Sequence, residues 1–264
     1  LFFRGYSCNV FAIDQGSEIW LVDVGTDAMF KFKLLLRAMK KDGLDPKKVK
    51  KVLVTHAHPD HIAALPSIIE LCNPKVYVHE KDALMLEMGY DYFWDRQYDE
   101  MGDLRKEFYF FQKNTAKKYS NYPMGALPKI KDYVAIRDGE IIEGEKYTAR
   151  AIHSPGHTQG HCSYYFPGIE AFYCGDLIDP GYDHKPPLNF PAVNYDDFYN
   201  SIQSIRNLSV EFFCAAHAKQ IHRGQDFHNE MVQGVLNNLD FAKQRVIDLL
   251  KQNGGMRVKD FSRK

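Results

Sequence analysis

Residues 55–61 read Thr-His-Ala-His-Pro-Asp-His and directly follow an apolar strand that we predict over residues 49–54. Four potential metal ligands therefore lie within six residues, namely His56, His58, Asp60 and His61. A strand delivers such side chains to its carboxyl end, and the loop after it is free to turn each one inward. Imidazole and carboxylate suit zinc, iron or manganese. The stretch predicts a metal site at the end of a β-strand.

Further candidate ligands follow three other predicted strands. His157 lies in the stretch Ser-Pro-Gly-His-Thr-Gln-Gly-His over residues 154–161, after a strand that ends near Ile152. Asp176 and His217 each follow an apolar run closely. Taken singly, such residues are more often turn residues or hydrogen-bonded histidines. Their repeated placement at strand ends, together with the first stretch, favours metal ligands.

Strands and helices alternate along the chain, with hairpins mixed in. We predict strands over residues 8–13, 18–24, 49–54, 75–78, 133–136, 147–152, 162–166, 170–174 and 210–215. We predict helices over residues 28–41, 66–72, 80–88, 196–207 and 225–252. This mixture argues for a layered α/β protein with mixed sheets rather than a purely parallel sheet.

The length limits the number of domains, and the charge and apolar runs limit the classes of partner. The 264 residues allow one large domain or two small ones, since a domain has roughly 100–200 residues. Lys and Arg number 34, as do Asp and Glu, so the formal net charge is zero. Nucleic-acid binders usually carry a basic field, so we expect no nucleic-acid partner. The longest apolar runs are strand-sized, so we also expect no membrane span.

The five cysteines are odd in number and form no Cys-x-x-Cys pair, which favours reduced thiols in a cytoplasmic protein. Cys162 and Cys174 lie close to candidate ligands, but we interpret both as buried strand residues. His161 could support a neighbouring ligand or fill a core or solvent position, and the sequence leaves this open.

In this order, the motifs resemble those of the metallo-β-lactamase superfamily. The resemblance rests on Asp23 in Leu-Val-Asp-Val-Gly, on residues 55–61, on Pro-Gly-His-Thr-Gln-Gly-His, on the Cys-Gly-Asp turn at Asp176 and on His217 after the last strand. It implies an αβ/βα four-layer sandwich of two mixed β-sheets flanked by helices. It also implies a single domain over residues 1–264.

The resemblance further implies a site for two divalent metal ions, zinc in the first place, with iron or manganese as alternatives. His56, His58 and His157 would bind the first ion, and Asp176 would bridge the two. Asp23 would hold the histidine loop by hydrogen bonds. The second ion would be bound by Asp60, His61 and His217. The last histidine lies between alanines, whereas many members place it between glycines, so its local turn differs from the family pattern.

Two such metals can share a water and hold it as hydroxide near neutral pH, with Asp60 as the catalytic residue that orients it. We therefore predict a hydrolase that acts on an ester, thioester or lactone small molecule. The alternatives are a mononuclear-iron sulfur (persulfide) dioxygenase and a metal-dependent nuclease or phosphodiesterase. A glyoxalase II-like thioesterase is the nearest familiar role.

Residues 89–132 are dense in aromatic side chains and interrupt the strand rhythm, which predicts a helical insertion. Such an insertion could be a lid over an apolar substrate, a homodimer surface, or a small subdomain with its own core.

Overall fold

Two mixed β-sheets form the centre of the molecule in the computed structural model, which describes residues 8–27, 30–89, 129–180 and 194–254. In spatial order, the first sheet contains β1 (Phe11–Asp14), β2 (Ile19–Val22), β3 (Val49–Leu53), β4 (Lys75–His79) and β5 (Val134–Ile136). β1 is antiparallel to β2, and each later strand is parallel to its neighbour.

The second sheet is also ordered as the chain runs. It contains β6 (Ile141–Ile142), β7 (Ala149–His153), β8 (Cys162–Phe166), β9 (Ala171–Gly175), β10 (Phe212–Ala215) and β11 (His222–Arg223). β9 and β10 are parallel, and the other neighbours are antiparallel. Both sheets are therefore mixed, as predicted.

Six α-helices lie in the described part of the chain: α1 (Lys31–Lys41), α2 (Pro59–Ile62), α3 (Leu65–Cys72), α4 (Glu80–Met88), α5 (Tyr195–Ser204) and α6 (Gln225–Asn253). None of these described helices is both long and apolar enough to cross a membrane.

Side-chain alternation in the strands creates the layers. In β2, Trp20 and Val22 pack between the two sheets, while Ile19 and Leu21 pack with α1, α3 and α4. The second sheet uses its faces in the same way, since Phe172 of β9 packs with α5 and α6. Because a strand points successive side chains to opposite faces, an all-apolar strand serves two cores at once. The predicted four-layer sandwich is confirmed.

Three short elements were not predicted. β6 and β11 have only two residues each, too few for a two-residue period to show. α2 is a single turn that begins at Pro59 and contains Asp60 and His61, where we expected an open loop. Of the predicted insertion, residues 90–128 lie outside the described residues, so the insertion and the single-domain organisation stay predictions.

Candidate metal centre

One edge of the sandwich collects the predicted site residues. Thr55 and the histidines after it follow β3, and Asp23 follows the neighbouring parallel strand β2. Asp176 and His217 follow β9 and β10, which are also parallel to each other. Because parallel strands end at the same edge of a sheet, residues far apart in sequence meet there.

A first group lies around one oxygen of Asp176. His56, His58, His157 and Asp176 each offer an atom within 4.8 Å of the others. Oδ2 of Asp176 lies 3.3 Å from Nε2 of His157 and 3.8 Å from Nε2 of His56. Nε2 of His157 lies 3.0 Å from Nδ1 of His58, so these nitrogens face a common point.

A second group lies around the other oxygen. Asp60, His61 and His217 also offer atoms within 4.8 Å of one another. Oδ1 of Asp176 lies 3.3 Å from Nε2 of His61 and 3.2 Å from Nε2 of His217. The structure thus brings all seven predicted residues together in two groups, with Asp176 between them. Their role as ligands stays a prediction.

The residues fit a divalent metal. His56 and His61 are fully buried, yet within the described residues their Nε2 atoms have no hydrogen-bond partner, and neither does Oδ1 of Asp176. Burying such polar atoms without a partner is costly. A cation among them would satisfy all three. Five imidazoles and two carboxylates form a donor set for zinc, iron or manganese.

Asp23 holds the histidine loop, as the resemblance implied. Its Oδ1 accepts from the backbone N–H of Thr55 at 2.8 Å, and its Oδ2 accepts from the Thr55 hydroxyl at 2.8 Å. The same Oδ2 lies 2.8 Å from Nδ1 of His61. When Nδ1 donates there, the lone pair of His61 is on Nε2, which faces Asp176. Such a partner fixes both the tautomer and the orientation of a ligand.

The electrostatics keep the first group ready to coordinate. Burial, reinforced by neighbouring histidines, lowers the pKa of His56 and His58 well below the usual value, so both are neutral at pH 7. Burial alone would raise the pKa of Asp176, but His61 and His217 hold it well below its usual value. Neutral imidazoles and an ionised carboxylate are the protonation states that metal ligands need.

His161 supports Asp176 rather than joining either group. Its Nε2 accepts from the backbone N–H of Asp176 at 3.1 Å, and its Nδ1 lies 2.9 Å from the Ser154 hydroxyl. Burial lowers the pKa of His161 to about 3, so the ring is neutral and can accept at Nε2. This answers the question that the sequence left open about His161.

Sequence reasoning missed Cys8 and Asn9, which precede β1. The Cys8 thiol is buried beside Asp23 and His61, and burial raises its pKa to about 11. The Asn9 amide donates to the carbonyls of Ala215 and Ala218, on either side of His217, at 3.0 and 2.7 Å. No local pattern marks either residue, because their partners lie elsewhere in the chain. Cys162 and Cys174 are buried strand residues, as predicted.

Comparisons with known proteins agree with this geometry. The chain is 25% identical over 170 residues to an atrochrysone carboxyl ACP thioesterase of Pseudocercospora fijiensis. That match covers 64% of this chain and 37% of that protein. It is 22% identical over 221 residues to the probable metallo-hydrolase YybB of Bacillus subtilis. That match covers 83% of this chain and 84% of that protein. The chain spans 66%, 60% and 37% of the length of three curated relatives that it matches.

Among solved structures, a metallo-beta-lactamase family protein from Thermus thermophilus has the same fold. It superposes with a TM-score of 0.66 at 19% identity, over 94% of this chain and 78% of that chain. A family model described as the metallo-beta-lactamase superfamily matches residues 3–217, which is well over half of the chain. The chain therefore belongs to the metallo-beta-lactamase superfamily.

Proposed function

We propose that the protein holds two divalent metal ions on either side of Asp176 and hydrolyses an ester, thioester or lactone of a small molecule. Superfamily membership and the two groups of candidate ligands support a metal-dependent hydrolase of this fold. The number of ions and the substrate are the proposal. The observation that carries it is the division of Asp176, whose two oxygens face two separate groups of imidazole nitrogens.

When bound, two such ions supply a hydroxide nucleophile at neutral pH and positive charge for the developing oxyanion. His56, His58 and His157 would hold one, and His61 and His217 with Asp60 the other. The side chains of His157, His217 and Asp60 are 20%, 30% and 20% exposed, whereas those of His56 and His61 are fully buried. The substrate would therefore approach from the exposed side, where Asp60 would accept a hydrogen bond from the hydroxide and orient it.

We place thioesters first among the substrates. The named thioesterase of Pseudocercospora fijiensis shares the superfamily and supports that order. Zero net charge disfavours a nucleic-acid substrate. We propose zinc as the metal, because a site of imidazoles and carboxylates with an exposed side is typical of catalytic zinc.

Metal quantification followed by a substrate panel tests the proposal. Protein reconstituted with zinc, iron or manganese is expected to hold two ions per chain and to cleave a thioester, an ester or a lactone. The panel adds a β-lactam, a phosphodiester and a persulfide with oxygen uptake. Fewer than one ion per folded chain would sink the proposal, and oxygen consumption with iron would favour the dioxygenase instead.

A matched pair of variants assigns the activity to the site. Asp60→Asn is expected to lower the rate strongly, because the amide cannot replace the carboxylate as acceptor and ligand. Asp196→Asn, on the exposed first turn of α5, is expected to leave the rate unchanged. Equal rates for both variants would place the chemistry elsewhere.

A further inference from the structure

Asp82 is a fully buried carboxylate of α4 that lies between two of the site's loops. Its Oδ2 accepts from the backbone N–H of Ala57 at 3.1 Å and from the Thr158 hydroxyl at 2.9 Å. Its Oδ1 accepts from the backbone N–H of Gly160 at 2.8 Å. Hydrogen bonds to an ionised acceptor are about twice as strong as neutral ones, and these donors compensate the burial of the charge.

The donors are placed next to the first group of nitrogens. Ala57 lies between His56 and His58 in the chain, and Thr158 directly follows His157. One carboxylate therefore binds both the loop after β3 and the loop after β7. Since these loops come from different sheets, Asp82 connects the two halves of the first group.

Gly160 shows how closely α4 approaches the second of these loops. A Cβ at Gly160 would lie 2.4 Å from the backbone nitrogen and from Oδ1 of Asp82. Real Cβ atoms do not come so close to a backbone atom, so only glycine allows this contact. The loop and the start of α4 are thus in backbone contact, which leaves Asp82 little freedom to move.

We propose that Asp82 is a positioning residue for the first metal. It sets the distance between the two loops, so that Nδ1 of His58 and Nε2 of His157 face each other at 3.0 Å before an ion arrives. This inference rests on the proposed metal site. It predicts that Asp82 acts on the binding of the first metal, although it does not touch the ion.

Asp82→Asn removes the charge of the carboxylate. It also places an NH₂ group, which cannot accept, opposite either the Ala57 and Thr158 donors or the Gly160 donor. Asp138→Asn is the matched control, because Asp138 is exposed and accepts at 2.8 Å from the backbone N–H of His153, the last residue of β7 and outside both loops. Thr158→Val and Thr158→Ser form a milder pair, in which serine keeps the hydroxyl. This pair keeps the test open if Asp82→Asn does not fold.

Two measurements are made on folded protein. Amide hydrogen exchange of metal-free protein reports the order of Ala57 and Gly160, and zinc competition against a chelator reports the affinity of each site. Loss of an outer partner of this kind typically costs 10–100-fold in metal affinity. We expect that loss at one of the two sites for Asp82→Asn, a smaller loss for Thr158→Val, and wild-type values for Thr158→Ser and Asp138→Asn.

Unchanged exchange and unchanged zinc affinity in Asp82→Asn or Thr158→Val would overturn the inference. If wild-type protein binds none of zinc, iron and manganese, the proposed function fails. The exchange data then still decide whether Asp82 orders the two loops, so the two failures are distinguishable.

Discussion

Asp176 lies between the two groups of imidazole nitrogens, and each of its carboxylate oxygens faces one group. Asp176→Asn leaves one carbonyl oxygen and an NH₂ group where two anionic oxygens faced the imidazoles. We expect the variant to hold fewer than two metal ions and to lose at least about 100-fold in hydrolysis rate, since even outer partners of a metal site cost up to that factor. Metal analysis and a rate assay on the same sample measure this, and wild-type values for both would contradict it.

His79 makes the stability depend on pH. Its ring stacks on His153 with centroids 3.9 Å apart, and burial with the nearby His153 lowers its pKa from 6.5 to about 4. Below pH 6.5 the unfolded chain takes up a proton that the folded protein refuses. The free energy of unfolding therefore falls as the pH drops from 6.5 toward 4, by at most about 3 kcal/mol from this residue, and levels off below that.

The variant His79→Phe isolates this effect, because phenylalanine keeps a stacked ring without a titrating group. Urea unfolding of metal-free wild type and variant is compared at neutral pH and near pH 4. Loss of the hydrogen bond from Lys81 to His79 lowers stability by the same amount at every pH where His79 is neutral. A stability difference that stays constant across the window would refute the assignment to His79.

The seven candidate ligands could be predicted from the sequence, because each follows an apolar strand within a few residues. Of the residues that position them, the family resemblance indicated Asp23, but the sequence did not indicate Asp82 or Asn9. Asp82 lies in a helix with no local feature to distinguish it from an exposed aspartate, and its partners Ala57 and Thr158 are 25 and 76 residues away. Such partnerships depend on how the sheets and helices pack, which a single sequence does not display.

At the scale of elements, the turn after β10 depends on the segment before β1. Asn9→Ala leaves the carbonyls of Ala215 and Ala218 without the amide and loosens the turn that carries His217. We expect zinc affinity at one of the two sites to fall about 10–100-fold. Zinc competition measures it. Asn194→Ala removes an asparagine that caps α5, which costs about 1 kcal/mol of stability but leaves zinc affinity unchanged.

α5 packs directly against the loop that carries His157. Gly156 has φ +127°, and a Cβ there would lie 2.4 Å from Cβ of Phe198 in α5. We expect Gly156→Ala to destabilise the protein by about 3 kcal/mol, through backbone strain and overlap together. Gly139→Ala is the control, since Gly139 has φ +74° with nothing within 4 Å and adds strain alone. Chemical unfolding measures the free energy of unfolding of both variants. Equal losses of stability would show that the overlap with Phe198 does not destabilise the protein.

Apart from the helical insertion, which stays a prediction, the predicted strands and helices all occur in the described residues, and most have shifted ends. Residue 18 lies before the start of β2. Residues 23–24 lie beyond its end, because Asp23 adopts φ +56° and turns its carboxylate toward Thr55. The sequence shows an apolar run over these residues, but it does not show that the last residues of the run lie outside the sheet and contribute to the site.

For the whole molecule, the metal ions are expected to stabilise the fold, because both sheets contribute ligands. An ion at 100 times its dissociation constant adds about 2.7 kcal/mol to the free energy of unfolding. In a chain of this size, stripping the metal with a chelator should lower Tm by roughly 5–10 °C for each ion removed, and zinc should restore it. Calorimetry with and without chelator measures the shift, and an unchanged Tm would contradict a site shared between the sheets.

The layered architecture followed from the sequence because apolar strands flanked by amphipathic helices have few ways to bury their faces. The aromatic insertion shows the opposite case. A dense set of aromatic residues over 89–132 is compatible with a lid, a dimer surface or a separate core, and its composition favours none of them.

The Asn9 amide reaches carbonyls 206 and 209 residues further along the chain. This distance orders events during protein synthesis. A ribosome releases His56 and His58 early, while His217 and the carbonyls that Asn9 needs emerge only after nearly the entire sandwich has been translated. Both proposed sites therefore cannot be complete before the ribosome has made the chain as far as Ala218.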